Sequence, residues 1–359
     1  MELLSVTMND GVMPRSEIEG KDNSSEDKSN YKVVLMGDMV YNSMRMWQGA
    51  NGISPCDGIV SPAYTVLMPK IPISNGYFAA YFKSPNLINE FRKNSQGMTS
   101  DTWNLKYPQI ETIKVCIPAL SEQNRVADML GTLERRIVKQ AQLVENLKKY
   151  KRGLLSREFG QQENSDPNNR YVGKIKDYFH LSSGSTPSST NRAFYSGNIR
   201  WVSSGELKPK YLCETSQHIS SEAVSSCNLR EYPANTLLIA MYGLEAAGVR
   251  GTASILSVPA TISQACMAIQ QTGEIDIEYL YYWYIYNGQW IGIRIAQGTK
   301  QQNLSTNTLG SLRIYAPSYS KQKKVCKLLS KIDYLIEKES KKIDLLSSVK
   351  RGLLQQLFI

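Results

Sequence analysis

The sequence predicts an α+β protein of two tandem domains, each followed by a long helix, with the two helices pairing as a coiled coil. Three observations lead to this prediction. One phrase occurs twice, without a gap, at an offset of 199 residues that relates Gln123 to Gln322 and Phe159 to Phe358. Each copy has apolar residues spaced three and four apart, and short β-prone runs precede each copy. Because the period is far longer than the ~20–50 residues of a solenoid repeat, it indicates a duplicated domain.

Each predicted domain combines β-prone runs, bounded by Gly, Pro, Asn or Ser, with one aromatic-rich helix. The first domain is predicted over residues 1–118 and the second over 171–317. The runs lie at 31–35, 39–41, 60–67, 236–241 and 261–269, and the helices lie at 77–91 and 277–293. Strands and helices within one unit favour the α+β class.

The first domain is expected to lack its opening segment. Alignment of Asp38 with Asn235 places Met1 opposite position 198, whereas the second domain begins near Tyr171. Three explanations stay open: a truncated gene product, a shortened design, and a domain whose opening strand comes from elsewhere.

Two long helices are predicted, over 119–160 and 318–359, joined to the rest by a polar linker at 161–170 that contains the helix-breaking Pro167. One apolar stripe follows a single face of each helix. About 39 residues of helix span ~58 Å at 1.5 Å per residue. Two apolar stripes of matching length most simply bury each other, and the alternative is that each helix packs only on its own domain.

The charge and composition narrow the function classes. Lysine and arginine number 42 against 32 acidic residues, and the excess lies in the two helical stretches. Such an excess is compatible with nucleic acid as a partner, while the alternative is an ordinary solvated helix face. No apolar run approaches the ~18 residues of a membrane span, and residues 1–4 do not open a secretory signal, so a cytoplasmic protein without membrane contact is expected. Six scattered cysteines and two histidines, with no C-x-x-C pair, argue against a metal site.

Motifs of the common enzyme classes are missing from the sequence. There is no G-x-x-x-x-G-K-[ST] phosphate loop, no H-E-x-x-H zinc motif, no G-x-S-x-G nucleophile motif and no G-x-G-x-x-G opening a helix. Histidine is the side chain that most often acts as a general acid or base, and the sequence has only two. We therefore predict no catalytic residue and no cofactor.

Residues 117–123 lead into a helix that ends at 151–155, and a second such helix ends at 352–358. With these segments and with 201–206 and 297–304, the sequence resembles, over essentially its whole length, the specificity subunit of a type I restriction-modification system. The segments 201–206 and 297–304 look like parts of that family's target recognition domains. The resemblance implies two tandem target-recognition-type domains, each followed by a long helix, the two helices pairing as an antiparallel coiled coil.

The resemblance also implies a function. Each recognition domain would read one half of a bipartite site on double-stranded DNA, while the paired helices set the distance between the halves. The helices would also help to hold DNA methyltransferase subunits, and restriction subunits can join that assembly. Methylation and cleavage then belong to partner chains, so the chain is expected not to be an enzyme.

The predicted DNA-binding residues of the second domain lie in two loops. The better candidate is the 298–303 loop, which presents a cation and two amides of the kinds that recognise guanine and adenine. A solvated polar turn is the alternative for this loop. The predicted contact residues are Thr299, Lys300, Gln301 and Gln302 in that loop, and Ser203, Ser204, Glu206 and Lys208 after a strand.

Comparable places in the first domain carry a second set of predicted contacts. These are Arg45, Trp47 and Gln48, together with Ser100 in the 95–104 loop. Trp47 and Trp103 are equally compatible with positions in the domain core.

Two functions without DNA reading stay open. A truncated or silent member of the same family would fold without assembling, and co-purification with a methyltransferase would distinguish it. A non-enzymatic protein-interaction scaffold would use the helices for protein partners and would bind no DNA even at low salt. A stand-alone methyltransferase is disfavoured, because the segment at 166–169 lacks the second proline and the aromatic residue of an Asn/Asp-Pro-Pro-aromatic motif.

Overall fold

The computed structural model describes residues 1–8, 10–20, 22, 24–99, 102–160, 169–296, 298 and 303–358. The chain divides into two compact units. Unit 1 comprises Met1–Val144 and Lys338–Ile359, and unit 2 comprises Glu145–Glu337. Each unit therefore contains one globular domain and a stretch of each long helix. No helix within the described ranges is both long enough and apolar enough to cross a membrane.

The described residues of unit 1 form two small sheets flanked by short helices. The strands are β1 (Glu2–Val6), β2 (Val12–Pro14), β3 (Lys32–Val34), β4 (Met39–Asn42), β5 (Asn51–Ile53), β6 (Gly58–Val60) and β7 (Tyr64–Leu67). The helices are α1 (Asn75–Tyr81), α2 (Pro85–Asn94), α3 (Tyr107–Ile110) and the long α4 (Leu120–Phe159), which continues into unit 2. One sheet has the order β2-β1-β6-β3 and the other the order β5-β4-β7.

Unit 2 is built from more strands. They are β8 (Asn169–Lys174), β9 (Phe179–Ser183), β10 (Ile199–Val202), β11 (Tyr211–Leu212), β12 (Gln217–Ile219), β13 (Leu237–Ala240), β14 (Ala253–Leu256), β15 (Thr261–Ile262), β16 (Cys266–Gln271) and β17 (Arg313–Pro317). The helices are α5 (Ile175–Tyr178), α6 (Ser221–Ser226), α7 (Ile277–Trp290), α8 (Thr306–Ser311) and the long α9 (Tyr319–Leu357). The largest sheet has the order β11-β14-β13-β16-β9, beside β12-β10-β15 and β17-β8.

The two units repeat the same central strands in the same register. In unit 1, Met39 of β4 lies opposite Leu67 of β7, and in unit 2, Leu237 of β13 lies opposite Ile269 of β16. Likewise β1 runs parallel to β6, as β10 runs parallel to β15. The duplicated sequence therefore corresponds to a duplicated α+β architecture, as predicted.

One predicted helix differs in the structure. The helix expected at 77–91 is two helices, α1 and α2, separated by a turn. The Ser84 hydroxyl caps α2 by accepting a hydrogen bond from the Leu87 N–H at 3.4 Å, and Pro85 occupies the first turn. Because proline has no N–H to donate, it suits the start of a helix and not the interior.

A buried glutamine fixes the start of each long helix to the domain before it. Gln123 donates from Nε2 to the Pro118 carbonyl at 2.9 Å, and its Oε1 accepts from the Ser74 N–H at 3.0 Å. Ser74 is the N-cap residue of α1. Gln322 makes the equivalent two bonds in unit 2, at 2.9 and 2.8 Å, the second with the N-cap residue of α7. One repeated side chain thus joins two helix starts in each unit.

The other end of each long helix packs on an aromatic helix. α4 ends in unit 2, where the Phe159 ring lies 5.1 Å from that of Tyr279 on α7. α9 ends in unit 1, where the Phe358 ring stacks on Tyr81 of α1 at 4.9 Å. Buried leucines one turn earlier, Leu155 and Leu354, belong to the same apolar clusters. The repeated leucines and phenylalanine are therefore docking residues.

Polar side chains show the direction in which the long helices pair. The contacts between them are Glu134–Lys350 and Gln140–Glu339 in unit 1 and Lys151–Asp333 in unit 2. Residue numbers rise along α4 as they fall along α9, so the helices run antiparallel in the coiled coil. The two ion pairs use equivalent positions of the repeat, each joining an acid of one helix to a lysine of the other.

Candidate DNA interface

Backbone hydrogen bonds bring four segments of unit 2 together at one edge of its sheets. The Ser263 N–H donates to the Val202 carbonyl at 2.9 Å, which joins the β15–β16 turn to the end of β10. The Met241 N–H donates to the Ala265 carbonyl at 2.9 Å. The Leu304 N–H, just after the 298–303 loop, donates to the Met241 carbonyl at 2.8 Å. The turn after β10, the start of the β13–β14 loop and Leu304, which follows the 298–303 loop, therefore meet at one edge.

The turn after β10 is closed by its own side chains. Glu206 Oε2 accepts from the Ser203 N–H and hydroxyl, both at 2.8 Å, and Oε1 accepts from the Ser216 N–H at 2.6 Å. Partial burial acts to raise the pKa of Glu206, but the hydrogen bonds from Ser203 and Ser216 outweigh it, so the pKa is lowered. The ionised carboxylate therefore shapes the turn. Ser204 is half-buried beside it, and Lys208 is exposed.

The four strongest sequence-predicted readers, Thr299, Lys300, Gln301 and Gln302, lie outside the described residues. The structure describes two residues of their loop, Gly298 and Asn303. Gly298 has a φ of 127°, a left-handed backbone conformation that favours glycine. Asn303 is exposed, and Leu304 behind it is buried. The loop thus has a glycine turn near its start and an anchored leucine at its end, and the role of its four central residues stays a prediction.

The β13–β14 loop is a part of this edge that sequence reasoning missed. Tyr242 in this loop is exposed. Arg250 spans the loop, donating from Nε to the Leu244 carbonyl at 2.7 Å and from Nη2 to the Glu245 carbonyl at 2.9 Å. An exposed aromatic ring on a braced loop offers an apolar contact surface. The available signal was the repeat, since alignment of Asp38 with Asn235 places Tyr242 opposite Arg45, a predicted contact of the first domain.

Unit 1 forms the equivalent edge with the same backbone bonds. The Ser43 N–H donates to the Ala63 carbonyl at 3.3 Å, and the Leu105 N–H donates to the Ser43 carbonyl at 2.8 Å. The Ser43 hydroxyl adds a bond of 2.7 Å to the same Ala63 carbonyl. An antiparallel bridge between Gln96 and Asn104 closes the loop that precedes Leu105. Each unit therefore presents a topologically equivalent pair of loops.

The β4–β5 loop of unit 1 carries three predicted contact residues, the half-buried Arg45, Trp47 and Gln48. The Trp47 ring meets Trp103 edge-to-face, with 5.1 Å between ring centroids. The Arg92 guanidinium lies 5.8 Å from the Trp47 ring centroid. Trp47 thus joins this loop to the 95–104 loop, and neither tryptophan is fully buried. The fourth predicted residue, Ser100, lies outside the described residues.

Ionisable groups on α7 and α9 form a paired cluster that is ill suited to a cation. Ligand atoms of Asp276, Glu278 and Cys326 lie within 4.8 Å of one another. Lys323 pairs with Asp276 at 2.6 Å, and Lys210 pairs with Glu278. Burial raises the pKa of the Cys326 thiol, so the sulfur stays protonated. Two carboxylates already paired with lysines and a neutral thiol are poor ligands, and we assign the cluster to holding the helices together.

Residues 167–347 match the family model described as the type I restriction modification DNA specificity domain, which covers half of the chain. The chain belongs to this family. The specificity subunit of the type I restriction enzyme MjaIX from Methanocaldococcus jannaschii is 30% identical over 192 residues, or 52% of this chain. The specificity subunit of EcoR124I/EcoR124II from Escherichia coli is 26% identical over 167 residues, or 46% of this chain.

The matched stretches span less than half of these two relatives, 43% of the first and 40% of the second. A solved structure of the S subunit of a type I restriction-modification system from M. genitalium covers 99% of this chain and 94% of its own, with a TM-score of 0.64 and 15% identity. That likeness shows the fold. Both the predicted family and the predicted arrangement of two recognition-type domains with two long helices are confirmed.

Proposed function

We propose that this chain reads a bipartite site on double-stranded DNA and directs partner DNA methyltransferase subunits to it, in an assembly that restriction subunits can join. The observation that carries the proposal is the duplicated edge. The chain belongs to a DNA specificity family and has two units. Each unit presents an equivalent pair of loops, held by equivalent backbone hydrogen bonds at Ser43 in unit 1 and Met241 in unit 2. Two equivalent readers in one chain suit a site made of two halves.

The side chains of these loops are of the types that distinguish bases. Arg or Lys recognises guanine in the major groove, and Asn or Gln recognises adenine. We propose Lys300, Gln301 and Gln302 as readers in unit 2, and Arg45 and Gln48 as readers in unit 1. Glu206 acts indirectly, by holding the turn that presents Ser203 and Lys208. Tyr242 supplies an apolar contact of the kind that thymine methyl groups accept.

The long helices supply a different part of the function. Lysine and arginine outnumber acidic residues on both, and most of these cations are exposed. Exposed cations near DNA add a salt-dependent attraction that does not depend on base sequence. The helices also give methyltransferase subunits an extended surface, and in this proposal they fix the spacing between the half-sites.

Catalysis is assigned to the partners in this proposal. The sequence contains no phosphate-loop, zinc, nucleophile or dinucleotide-binding motif of the kinds named above, and the polar cluster of unit 2 is engaged in internal pairs. The chain therefore selects where a methyl group is placed, and a partner subunit carries out the transfer.

The test measures base preference in the assembled complex with a library in which one half-site is randomised. We expect Gln301→Ala or Lys300→Ala to relax preference at one or two positions of one half-site, by about 1–3 kcal/mol for each lost bidentate pair. The other half-site should be read as before. Lys331→Ala, an exposed change on α9, is the matched control, since loss of a phosphate contact weakens all sequences alike and flattens the salt dependence.

Two results would contradict the proposal. Uniform weakening by the loop changes, without a shift in base preference, would assign the 298–303 loop to the DNA backbone. A chain that binds a methyltransferase subunit but no DNA at low salt would be a protein-interaction scaffold.

A further inference from the structure

In unit 2, one strand–turn–strand segment covers two sheet edges. β8 pairs antiparallel with β17, so that Val172 lies opposite Tyr315 and Lys174 lies opposite Arg313. After the short helix α5, β9 pairs antiparallel with β16 along its whole length, from Phe179 to Ser183. Residues 169–183 therefore complete two sheets at once.

The equivalent edges of unit 1 are open among the described residues. The 199-residue offset sets 114–118 against β17, yet these residues form no regular structure and no described strand pairs with them. The strand β7 holds the place of β16, and in the described part of the chain it pairs only with β4. Unpaired backbone N–H and C=O groups at such edges are templates for another strand.

Apolar side chains at the edges of unit 1 are more exposed than their counterparts in unit 2. Ile314 of β17 is fully buried, whereas its counterpart Val115 is 36% exposed. Leu309 of α8 is 1% exposed, whereas its counterpart Ile110 is only half-buried. Next to β7, Met68 is 82% exposed. The apolar side chains of unit 1 are thus arranged for a covering segment.

Unit 2 also shows the chemistry of the cover. Ile175 and Phe179 point into its main apolar cluster and are buried, whereas Val172 on the outer side of β8 is exposed. On unit 1, a segment with this alternation would form main-chain hydrogen bonds along both edges. Its buried apolar side chains would cover α3, the counterpart of α8. Binding of this kind is β-strand addition, in which the backbone supplies affinity and alternate side chains supply specificity.

We propose that the open edges of unit 1 bind a strand–turn–strand polypeptide segment with the sequence character of residues 169–183. The segment pairs antiparallel with 114–118 in the register of β8 on β17, and then with β7 in the register of β9 on β16.

Cys116 gives a direct readout of that register. It is exposed and stands at the position equivalent to Tyr315, whose partner is Val172. Directly opposed residues of an antiparallel pair have Cα atoms about 4.5–5.5 Å apart, within the range of a disulfide. A synthetic peptide of residues 169–183 with Val172→Cys contains a single cysteine. It should form a mixed disulfide with Cys116 of the full chain in a buffer of reduced and oxidised glutathione, in which oxidised glutathione takes up the two electrons. Peptide mapping by mass spectrometry measures the yield.

Two matched references control for simple thiol reactivity. Cys213 of the same chain is also exposed, and it lies in unit 2, outside the two edges of unit 1. A second peptide with Tyr171→Cys carries its thiol on the other face of the strand. We expect about tenfold more disulfide at Cys116 than at Cys213 with the Val172→Cys peptide, which is about 1.4 kcal/mol of preference, and no such preference with the Tyr171→Cys peptide.

Competition tests the strand geometry. An excess of the unmodified 169–183 peptide should suppress the disulfide at Cys116. A peptide with Val172→Pro and Gly173→Pro should not, because adjacent residues of a strand direct their N–H groups to opposite sides and one of the two must lose a ladder bond. Equal yields at Cys116 and Cys213, equal yields from the two peptides, or no disulfide at either cysteine would overturn the proposal.

Discussion

Single residues explain why parts of the repeated phrase are repeated. Gln322 uses its amide to satisfy the carbonyl of Pro317 and the N–H of Asp276, and it is fully buried while doing so. The sequence shows that the position is duplicated as Gln123. It does not show the partners, because the N-cap residue that each glutamine contacts lies far upstream in the chain and no local pattern relates the two.

Removal of this amide should be costly. Gln322→Ala leaves one buried N–H and one buried carbonyl without a partner, and we expect a loss of about 2–4 kcal/mol in the free energy of unfolding. Gln355→Ala, an exposed change near the end of the same helix, should cost less than about 0.5 kcal/mol. Urea denaturation of both variants measures the difference. Similar small losses for the two would show that the buried bonds contribute little.

Glu278 gives the protein a defined response to acid. Burial acts to raise its pKa, but hydrogen bonds from Lys210 and Ser330 and the charge of Lys210 outweigh burial, so the pKa lies below its ordinary value of 4.5. A carboxyl whose pKa is lowered by folding adds stability above its unfolded pKa, and this stability is lost as pH falls through the folded pKa. Glu278→Gln should therefore destabilise the protein at pH 7, by an amount that shrinks below pH 4.5.

Unfolding by urea across this pH range tests the expectation. Glu222→Gln is the control, since Glu222 is exposed and its substitution should have little effect at any pH. A deficit for Glu278→Gln that stays constant from pH 7 to below pH 4.5 would mean that the charge of Glu278 does not stabilise the fold.

For the predicted DNA contacts, the sequence shows which side-chain types are present, but it does not show which of them already hydrogen-bond within the protein. Glu206 was predicted as a DNA contact because it follows a strand among serines. The structure shows that both its oxygens accept bonds from its own loop. Ser216, which supplies one of those bonds, lies ten residues downstream, and no spacing rule connects the two.

At the scale of elements, periodicity predicted the two long helices well. The predicted ranges 119–160 and 318–359 compare with Leu120–Phe159 and Tyr319–Leu357. Apolar spacing of three and four residues is a strong signal over nearly forty residues, whereas short elements depend on tertiary contacts. The break between α1 and α2 is an instance, although Ser84 followed by Pro85 was a local signal for a helix start.

The antiparallel helix pair suggests a test of its role in spacing. Gln140 contacts Glu339, so a heptad inserted after Gln140 and another inserted before Glu339 enter opposite each other. Seven residues preserve the apolar seam and add about 10 Å of helix. We expect the complex to read the same half-site sequences with a longer spacer between them, as measured by binding to a library with variable spacers.

An insertion of two residues at both points is the control. At 3.6 residues per turn it rotates the apolar stripe by about 200°, away from the partner helix, and should destabilise the coiled coil. Altered half-site sequences with an unchanged spacer, in the heptad variant, would contradict the assignment of spacing to the helices.

At the scale of the whole molecule, the chain is a duplication whose compact units do not follow sequence order. Each long helix starts against one domain through its glutamine and ends in the other unit through its phenylalanine, so spatial contacts divide both helices. The repeat in the sequence predicted two domains and two helices. It could not predict this division, because the contacts that hold the helix ends, Phe159 with Tyr279 and Phe358 with Tyr81, join residues more than one hundred positions apart.

The central claim is that the chain selects a bipartite DNA sequence for methylation by a partner subunit. The most direct measurement is a map of methylated adenines in a genome that expresses the chain with a DNA methyltransferase subunit of this family, beside cells that express either protein alone. The account predicts methylation at one bipartite sequence, with two specified halves and a fixed spacer, only when both proteins are present. Methylation by the chain alone, or the same methylated sequence without the chain, would contradict it.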